Sequence, residues 1–122
     1  MSGIMIVDDA SFMRQMIREI VESAGYQVVG EATNGLEAIE FYDELAPELV
    51  TMDIVMPKCS GIEAVKTILT RDPQAAIVMC SALGQDTLVE EAIRAGARDF
   101  IVKPFRPEEV IAKLDPILKP ES

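Results

Sequence analysis

The 122-residue sequence contains no histidine and no tryptophan, and it has only two cysteines. Without histidine, the Ser–His and Cys–His pairs that activate nucleophiles cannot form, and the commonest general base is missing. Cys59 and Cys80 are far apart in the chain, so neither a zinc site nor a redox pair at CxxC spacing is predicted. Chemistry in this chain must therefore use carboxylates, hydroxyls, lysine or a bound metal ion.

Basic residues are scarce: 11 Lys and Arg face 21 Asp and Glu, which gives a formal net charge of -10. Nucleic acids and anionic membrane surfaces bind basic surfaces, so we expect neither as a partner. The longest nearly unbroken apolar run, residues 75–83, is much shorter than the roughly 20 residues of a membrane-spanning helix. The amino-terminal residues also lack the pattern of a signal peptide. We therefore expect a cytoplasmic protein.

Hydrophobic residues make up 49% of the chain and charged residues 26%, a composition typical of a domain with a buried core. The length and the absence of a linker predict one domain over residues 1–122, which we expect to be a monomer.

Short apolar segments alternate with segments whose apolar residues recur every three or four positions. Gly25 and Gly96 stand where helices would end, and Pro107 fits the first turn of the last helix. This alternation predicts an α/β fold, in which a parallel sheet is covered by helices on both faces. The apolar segments predict strands at residues 3–7, 27–31, 49–52, 75–80 and 100–102.

Pro116 interrupts the pattern of the last helix. A proline inside a helix removes a hydrogen bond and clashes with the preceding turn, so we expect this helix to end or kink near Leu114.

Five chemically active side chains follow the predicted strands: Asp8, Asp9, Asp53, Ser81 and Lys103. Each alone has an ordinary explanation, such as a helix cap, a turn or a solvated charge. In parallel sheets, however, ligand sites lie beyond the carboxyl ends of the strands, so these side chains are expected to meet at one edge. Three clustered carboxylates repel one another and need a cation. Oxygen ligands without His or Cys favour Mg²⁺, which commonly bridges to a phosphoryl group.

A phosphoryl group at this edge would give each side chain a role. A carboxylate can accept the phosphoryl group and form an aspartyl phosphate. Lys103 can neutralise phosphoryl oxygens, and Ser81 can donate a hydrogen bond to one of them. Catalysis would then come from positioning and charge neutralisation.

Four segments are distinctive: 6–9 (IVDD), 51–57 (TMDIVMP), 80–82 (CSA) and 100–105 (FIVKPF). Together they resemble the signature of the response-regulator receiver domain of two-component signalling. Two further segments, 9–14 (DASFMR) and 30–35 (GEATNG), are most similar to the stand-alone chemotaxis regulators of that family. The resemblance covers essentially the whole chain. It implies a flavodoxin-like (βα)5 three-layer sandwich with the strand order 2-1-3-4-5.

The resemblance also implies a role for each residue of the site. Asp53 would be phosphorylated by a histidine kinase of the chemotaxis type. The direct Mg²⁺ ligands would be Asp9, Asp53 and the backbone carbonyl of Val55, and Asp8 would act mainly through water. Ser81 and Lys103 would contact the phosphoryl group. The protein would be a phosphoacceptor that assists its own phosphorylation and dephosphorylation, and not an enzyme.

The family's switch couples the hydroxyl after the fourth strand to an aromatic residue of the fifth strand. These positions are Ser81 and Phe100 here. A surface on the fourth helix, fifth strand and fifth helix would then present the change to a downstream protein, such as a flagellar motor switch protein. The resemblance further implies a cis peptide bond between Lys103 and Pro104.

Two apolar residues suggest how long the signal lasts. By the resemblance, the positions two after the phosphoacceptor and two after the hydroxyl place the water that removes the phosphoryl group; here they are Val55 and Leu83. We predict that they shield the phosphoryl group without orienting water, so decay is slow and a separate phosphatase is a partner.

Other functions remain open at this point. The chain could be the receiver of a longer regulator or a phosphorelay intermediate. A flavin-binding electron carrier of the same architecture is disfavoured because Asp8 and Asp9 occupy the loop that would cradle the flavin phosphate. An aspartate-based phosphatase would need an acid where Val55 stands.

Overall fold

A computed structural model describes residues 3–119, in which five strands alternate with five helices. The strands are β1 (Gly3–Val7), β2 (Gln27–Ala32), β3 (Leu49–Asp53), β4 (Ile77–Ser81) and β5 (Asp99–Val102). The helices are α1 (Ser11–Ser23), α2 (Gly35–Leu45), α3 (Gly61–Arg71), α4 (Asp86–Ala95) and α5 (Pro107–Leu118). Each predicted strand is present, with ends that differ by at most two residues. The fourth begins later than expected because the Ala75 amide closes a turn onto the Asp72 carbonyl.

All neighbouring strands are parallel, and their order in the sheet is β2-β1-β3-β4-β5. One hydrophobic cluster packs α1 and α5 against one face of the sheet, and a second packs α2, α3 and α4 against the other. The three-layer α/β fold predicted above is therefore confirmed. In this order β1, β3 and β4 are interior strands, so their carboxyl ends lie side by side.

Local sequence signals determine several helix ends. Gly25 follows α1 with φ of +94°, a left-handed conformation that glycine adopts without strain. Asn34 caps α2 by accepting a hydrogen bond from the Glu37 amide at 2.9 Å. Pro107 is the first residue of α5, where its missing N–H costs no hydrogen bond, as predicted.

The expectation that the last helix ends or kinks near Leu114 is wrong, because α5 continues through Pro116 to Leu118. Pro116 removes the N–H that would bond to the carbonyl of Ala112, but both residues are exposed and water can solvate this carbonyl. The residues beyond the proline, Ile117 and Leu118, pack against the hydrophobic cluster beneath α1 and α5. This burial stabilises a last turn that helix propensity alone disfavours.

No helix among residues 3–119 has the length and apolar character needed to cross a membrane. Residues 1–2 and 120–122 belong to the predicted domain but lie outside the described residues.

Candidate functional site

The site lies at the carboxyl ends of the neighbouring strands β1 and β3. Asp8 and Asp9 follow β1, and Asp53 is the last residue of β3. One carboxylate oxygen from each of the three lies within 4.8 Å of the others, and we call these residues the acidic cluster. Asp8 and Asp53 are buried, and Asp9 is exposed. The predicted meeting of the three carboxylates is therefore present in the structure.

Backbone contacts hold the two loops that carry the acidic cluster. The Asp8 amide donates to the Ala32 carbonyl at the end of β2, at 3.1 Å. An Asp8 carboxylate oxygen accepts a hydrogen bond from the Ala10 amide at 2.9 Å. After β3, Gly61 lies so close to the sheet that a Cβ there would be 2.1 Å from the Asp53 carbonyl oxygen. Only glycine allows α3 to start this close to Asp53.

Lys103, the residue directly after β5, contacts the acidic cluster. Its Nζ lies 3.0 Å from Asp8 Oδ2 and 3.4 Å from Asp53 Oδ1. Burial alone would lower the pKa of Lys103, but the hydrogen bond to Asp8 and the charge of Asp53 outweigh it and raise the pKa. Lys103 is therefore a permanent cation at neutral pH. The peptide bond between Lys103 and Pro104 is cis.

The acidic cluster has more negative than positive charge. Burial, with the charge of Asp8, raises the pKa of Asp53 from 3.8 to about 6, although Lys103 acts in the opposite direction. One ammonium thus offsets three carboxylates only in part. The side chain of Asp53 is still 12% exposed, so an incoming group can reach its carboxylate.

The donor set of the acidic cluster fits a hard divalent cation. The cluster offers one oxygen ligand from each of three carboxylates and contains neither nitrogen nor sulfur. Val55 lies in the loop two residues after Asp53, with its side chain 55% exposed. Its predicted part as a carbonyl ligand stays a prediction. We conclude that the cluster can hold a metal ion.

Ser81 is the last residue of β4, and Phe100 lies on the neighbouring strand β5. Ser81 is buried, and its carbonyl accepts a hydrogen bond from the Lys103 amide at 2.7 Å. Within residues 3–119 its hydroxyl makes no hydrogen bond to the cluster. Ser81 and the half-buried Phe100 line one cavity of about 630 Å³ between β5 and α4. The two predicted switch residues therefore share one cavity.

Two contacts at the site were not predicted from the sequence. The Arg14 guanidinium donates to the Asp8 carbonyl, and the Gln85 side chain accepts from the Ala82 amide at 2.6 Å. In the sequence, Arg14 stands out only as part of the family motif at residues 9–14. Its position in the first turn of the helix after the acidic pair was the one signal that could have suggested the contact.

Comparison with known proteins identifies the family. The model of the response regulator receiver domain matches residues 4–115. The chain is 57% identical to the chemotaxis protein CheY of Thermotoga maritima, over 95% of this chain and 97% of that protein. It is 54% identical to the chemotaxis protein CheY of Bacillus subtilis, over 94% and 96% of the two chains.

Solved structures agree with this assignment. CheY in the CheX–CheY–BeF3–Mg²⁺ complex of Borrelia burgdorferi is 34% identical, with a TM-score of 0.91 over 95% of this chain and 88% of that one. The response regulator domain of CheB from Thermotoga maritima is 35% identical, with a TM-score of 0.89 over 99% and 98% of the chains. Because the family model matches most of the chain, and because these relatives share its fold and nearly its whole length, the chain belongs to the response regulator receiver domain family and is CheY-like.

Proposed function

We propose that this receiver accepts a phosphoryl group on Asp53 from a CheA-like histidine kinase, with Mg²⁺ as cofactor. The observation that carries the proposal is the position of Asp53, whose carboxylate lies 3.4 Å from the ammonium of Lys103 and within 4.8 Å of the carboxylates of Asp8 and Asp9. This arrangement suits a carboxylate that must attack an anionic phosphorus centre, because the neighbouring cation offsets the charge that accumulates there.

In the proposed transfer, an oxygen of Asp53 bonds to the phosphorus while the bond from phosphorus to the kinase histidine breaks. The imidazole keeps the electron pair of that bond, and Asp53 becomes an aspartyl phosphate. Asp9 and Asp53 would hold the Mg²⁺ directly, with the Val55 carbonyl as a further ligand, and Asp8 would act mainly through water. When bound, the ion supplies positive charge to the phosphoryl oxygens. Lys103, which directly follows β5, would orient the same oxygens.

The output of the proposed switch is a population shift. A phosphoryl group at Asp53 would favour the arrangement in which the Ser81 hydroxyl approaches it and the Phe100 ring turns inward. Two cavities flank β5, one beside α4 and one beside α5, and Leu83, Phe100 and Val102 line both. A change at Phe100 would therefore alter the surface on both sides of β5, and a change at Ser81 would alter the cavity beside α4. We propose that a flagellar motor switch protein binds there.

Three further parts of the proposal rest on the likeness to chemotaxis regulators. The protein acts as a monomeric phosphoacceptor that assists its own phosphorylation and dephosphorylation, without being an enzyme for other substrates. It works in the cytoplasm. A separate phosphatase is a further partner; the Borrelia CheY described above is in a complex with CheX, beryllofluoride and Mg²⁺.

Labelling with a small phosphodonor such as phosphoramidate, in the presence of Mg²⁺, tests the proposed site. We expect the wild type to gain one phosphoryl group and Asp53→Asn to gain none. Asp43→Asn is the matched control, because Asp43 is an exposed carboxylate on α2 that pairs with Arg71. Labelling of Asp53→Asn at the wild-type rate would contradict the proposal.

Partner capture with and without beryllofluoride and Mg²⁺ tests the proposed output. Enrichment of a motor switch protein or a phosphatase by beryllofluoride supports a chemotaxis role. Enrichment of a histidine phosphotransfer protein instead supports a phosphorelay intermediate.

A receiver within a longer regulator is the second candidate. The chain is 44% identical to a protein-glutamate methylesterase/protein-glutamine glutaminase of Thermotoga maritima, of which the match covers only 30%. Receivers of this kind therefore also occur in larger proteins. The length of the gene product distinguishes the two candidates.

A further inference from the structure

Arg14 connects the loop of the acidic cluster to the neighbouring strand β2. Its Nη1 donates to the backbone carbonyl oxygen of Asp8 at 2.7 Å, and its Nε donates to Glu31 Oε1 at 2.8 Å. The side chain is only 15% exposed. Since Arg14 lies in the first turn of α1, its own backbone amide bonds to the Ala10 carbonyl of the same loop, at 3.1 Å. The guanidinium thus bridges the backbone between Asp8 and Asp9 to β2.

The carbonyl that Arg14 binds belongs to the peptide unit between Asp8 and Asp9. A peptide unit is planar, so fixing its oxygen fixes the direction in which the chain enters Asp9. The Asp8 carboxylate is held separately, by the Ala10 amide and by Lys103. The exposed carboxylate of Asp9 has no hydrogen bond to any of residues 3–119. Its direction therefore depends on the backbone that Arg14 holds.

Glu31 orients the guanidinium of Arg14. One Glu31 oxygen accepts from Arg14, and the other accepts from Arg18 Nε at 2.9 Å. Burial alone would raise the pKa of Glu31, but the hydrogen bonds from Arg18 and Arg14 outweigh it and lower the pKa, so Glu31 is a carboxylate at neutral pH. Because a guanidinium is rigid and planar, binding its Nε to Glu31 also sets the direction of Nη1.

We propose that Arg14 is a positioning residue for the metal ion, which turns the Asp9 carboxylate toward Asp53 through the Asp8 carbonyl. The inference rests on the proposed function, because it concerns Mg²⁺ at the acidic cluster. Whether Mg²⁺ binding becomes weaker or stronger when Arg14 is removed distinguishes a positioning role from a purely electrostatic one. Removing a cation near a cation site should, by Coulomb attraction alone, strengthen Mg²⁺ binding. Loss of a positioning contact should weaken it.

The test compares Arg14→Ala, Arg14→Lys and Arg18→Ala. Arg18 shares the Glu31 carboxylate but does not contact Asp8, so Arg18→Ala is the matched control. The dissociation constant for Mg²⁺ is measured on each unphosphorylated protein from backbone amide chemical shifts. We expect about tenfold weaker binding for Arg14→Ala, in the range found for residues that orient metal ligands. Arg18→Ala should bind as the wild type or slightly tighter, and Arg14→Lys, which cannot form the planar fork, should be intermediate.

Labelling by phosphoramidate gives a second measurement. In Arg14→Ala the Mg²⁺ concentration that gives half the maximal rate should rise by the same factor, while the rate at saturating Mg²⁺ stays near that of the wild type. General destabilisation of the protein would instead lower the labelling rate at saturating Mg²⁺ as well. If Arg14→Ala does not fold, Arg14→Lys and Glu31→Gln make the same test, because each disturbs the bridge with a smaller change in side-chain volume.

Two results would overturn this inference but not the proposed function. In the first, the wild type binds Mg²⁺ and Arg14→Ala binds it equally well or better. In the second, Arg14→Ala and Arg18→Ala weaken Mg²⁺ binding equally. A wild-type protein that binds no Mg²⁺ would overturn the proposed function and this inference with it.

Discussion

The surroundings of Asp53 disfavour its negative charge. Burial beside Asp8 raises its pKa to about 6, even with Lys103 at 3.4 Å. The same features that disfavour the carboxylate keep water away from it and surround it with fixed charges. A cation that binds Asp53, or a group that bonds to its carboxylate, therefore relieves an unfavourable buried charge.

Stability should therefore depend on pH through Asp53. Because its pKa is higher in the folded protein than the ordinary 3.8, its proton stabilises the fold below about pH 4, and this stabilisation is lost as the pH rises through 6. The shift corresponds to at most about 3 kcal/mol. In urea unfolding with EDTA, we expect Asp53→Asn to match the wild type near pH 4 and to exceed its free energy of unfolding by up to that amount at pH 7. Parallel curves at all pH values would contradict this account.

Lys103 should couple phosphorylation to output. Its ammonium bridges Asp8 and Asp53, and its backbone amide bonds to the Ser81 carbonyl, so one residue contacts both the acidic cluster and the switch. We expect Lys103→Met to be labelled by phosphoramidate at a reduced rate and to lose the change in partner affinity on phosphorylation. Lys66→Met, which removes an exposed lysine on α3, is the control. An affinity change equal to that of the wild type would rule out this role.

Val55 and Leu83 should make the phosphoryl group long-lived. Both side chains are exposed, 55% and 81%, and neither can orient an attacking water. We expect slow loss of phosphate from the purified protein and loss on the order of tenfold faster from Val55→Asn, whose amide can position water. Leu45→Asn, at the far end of α2, should decay as the wild type. Fast decay of the wild type without a phosphatase would exclude the idea.

At the scale of the elements, α5 shows where local sequence rules give way to packing. The prediction from Pro116 considered only the lost hydrogen bond and the local clash. It could not include the burial of Ile117 and Leu118 against the hydrophobic cluster, because that depends on how α5 lies on the sheet. The strands, the end of α1 and the start of α5 were predictable, since alternating periods, Gly25 and Pro107 act locally.

Pro116→Ala should stabilise the protein. Alanine restores the N–H for the Ala112 carbonyl, while the more flexible unfolded chain offsets part of the gain. We expect an increase of about 1 kcal/mol in the free energy of unfolding, measured in urea. Pro107→Ala is the control, because proline is already well suited to the first position of α5 and its removal should give no gain. Equal effects of the two substitutions would show that α5 tolerates Pro116 at no cost.

At the scale of the whole molecule, residues far apart in the sequence are brought together by the strand order. Periodicity predicted a parallel sheet, but the order 2-1-3-4-5 came only from the resemblance. The same limit applies to the site. The three carboxylates were predictable because each ends or follows a strand, whereas the bridge from Asp8 through Arg14 to Glu31 depends on β2 lying beside β1.

The acidic residues of the whole molecule fall into two groups, one on the solvent-exposed surface and one in the acidic cluster. Residues 19–57 contain nine acids and no base. Glu40, Asp43 and Glu44 are exposed on α2, where they form a solvated surface. The acidic cluster is different, because two of its three carboxylates are buried and they converge on one point. The net charge alone does not distinguish these two groups of acids.

The central claim is that Asp53, and no other residue, takes the phosphoryl group. The most direct test is to treat the protein with phosphoramidate and Mg²⁺, reduce the acyl phosphate with borohydride, and map the product by peptide mass spectrometry. We predict conversion of Asp53 to homoserine, with Asp8 and Asp9 unchanged. Modification at Asp8 or Asp9, or a phosphate ester on Ser81 with Asp53 intact, would contradict the account.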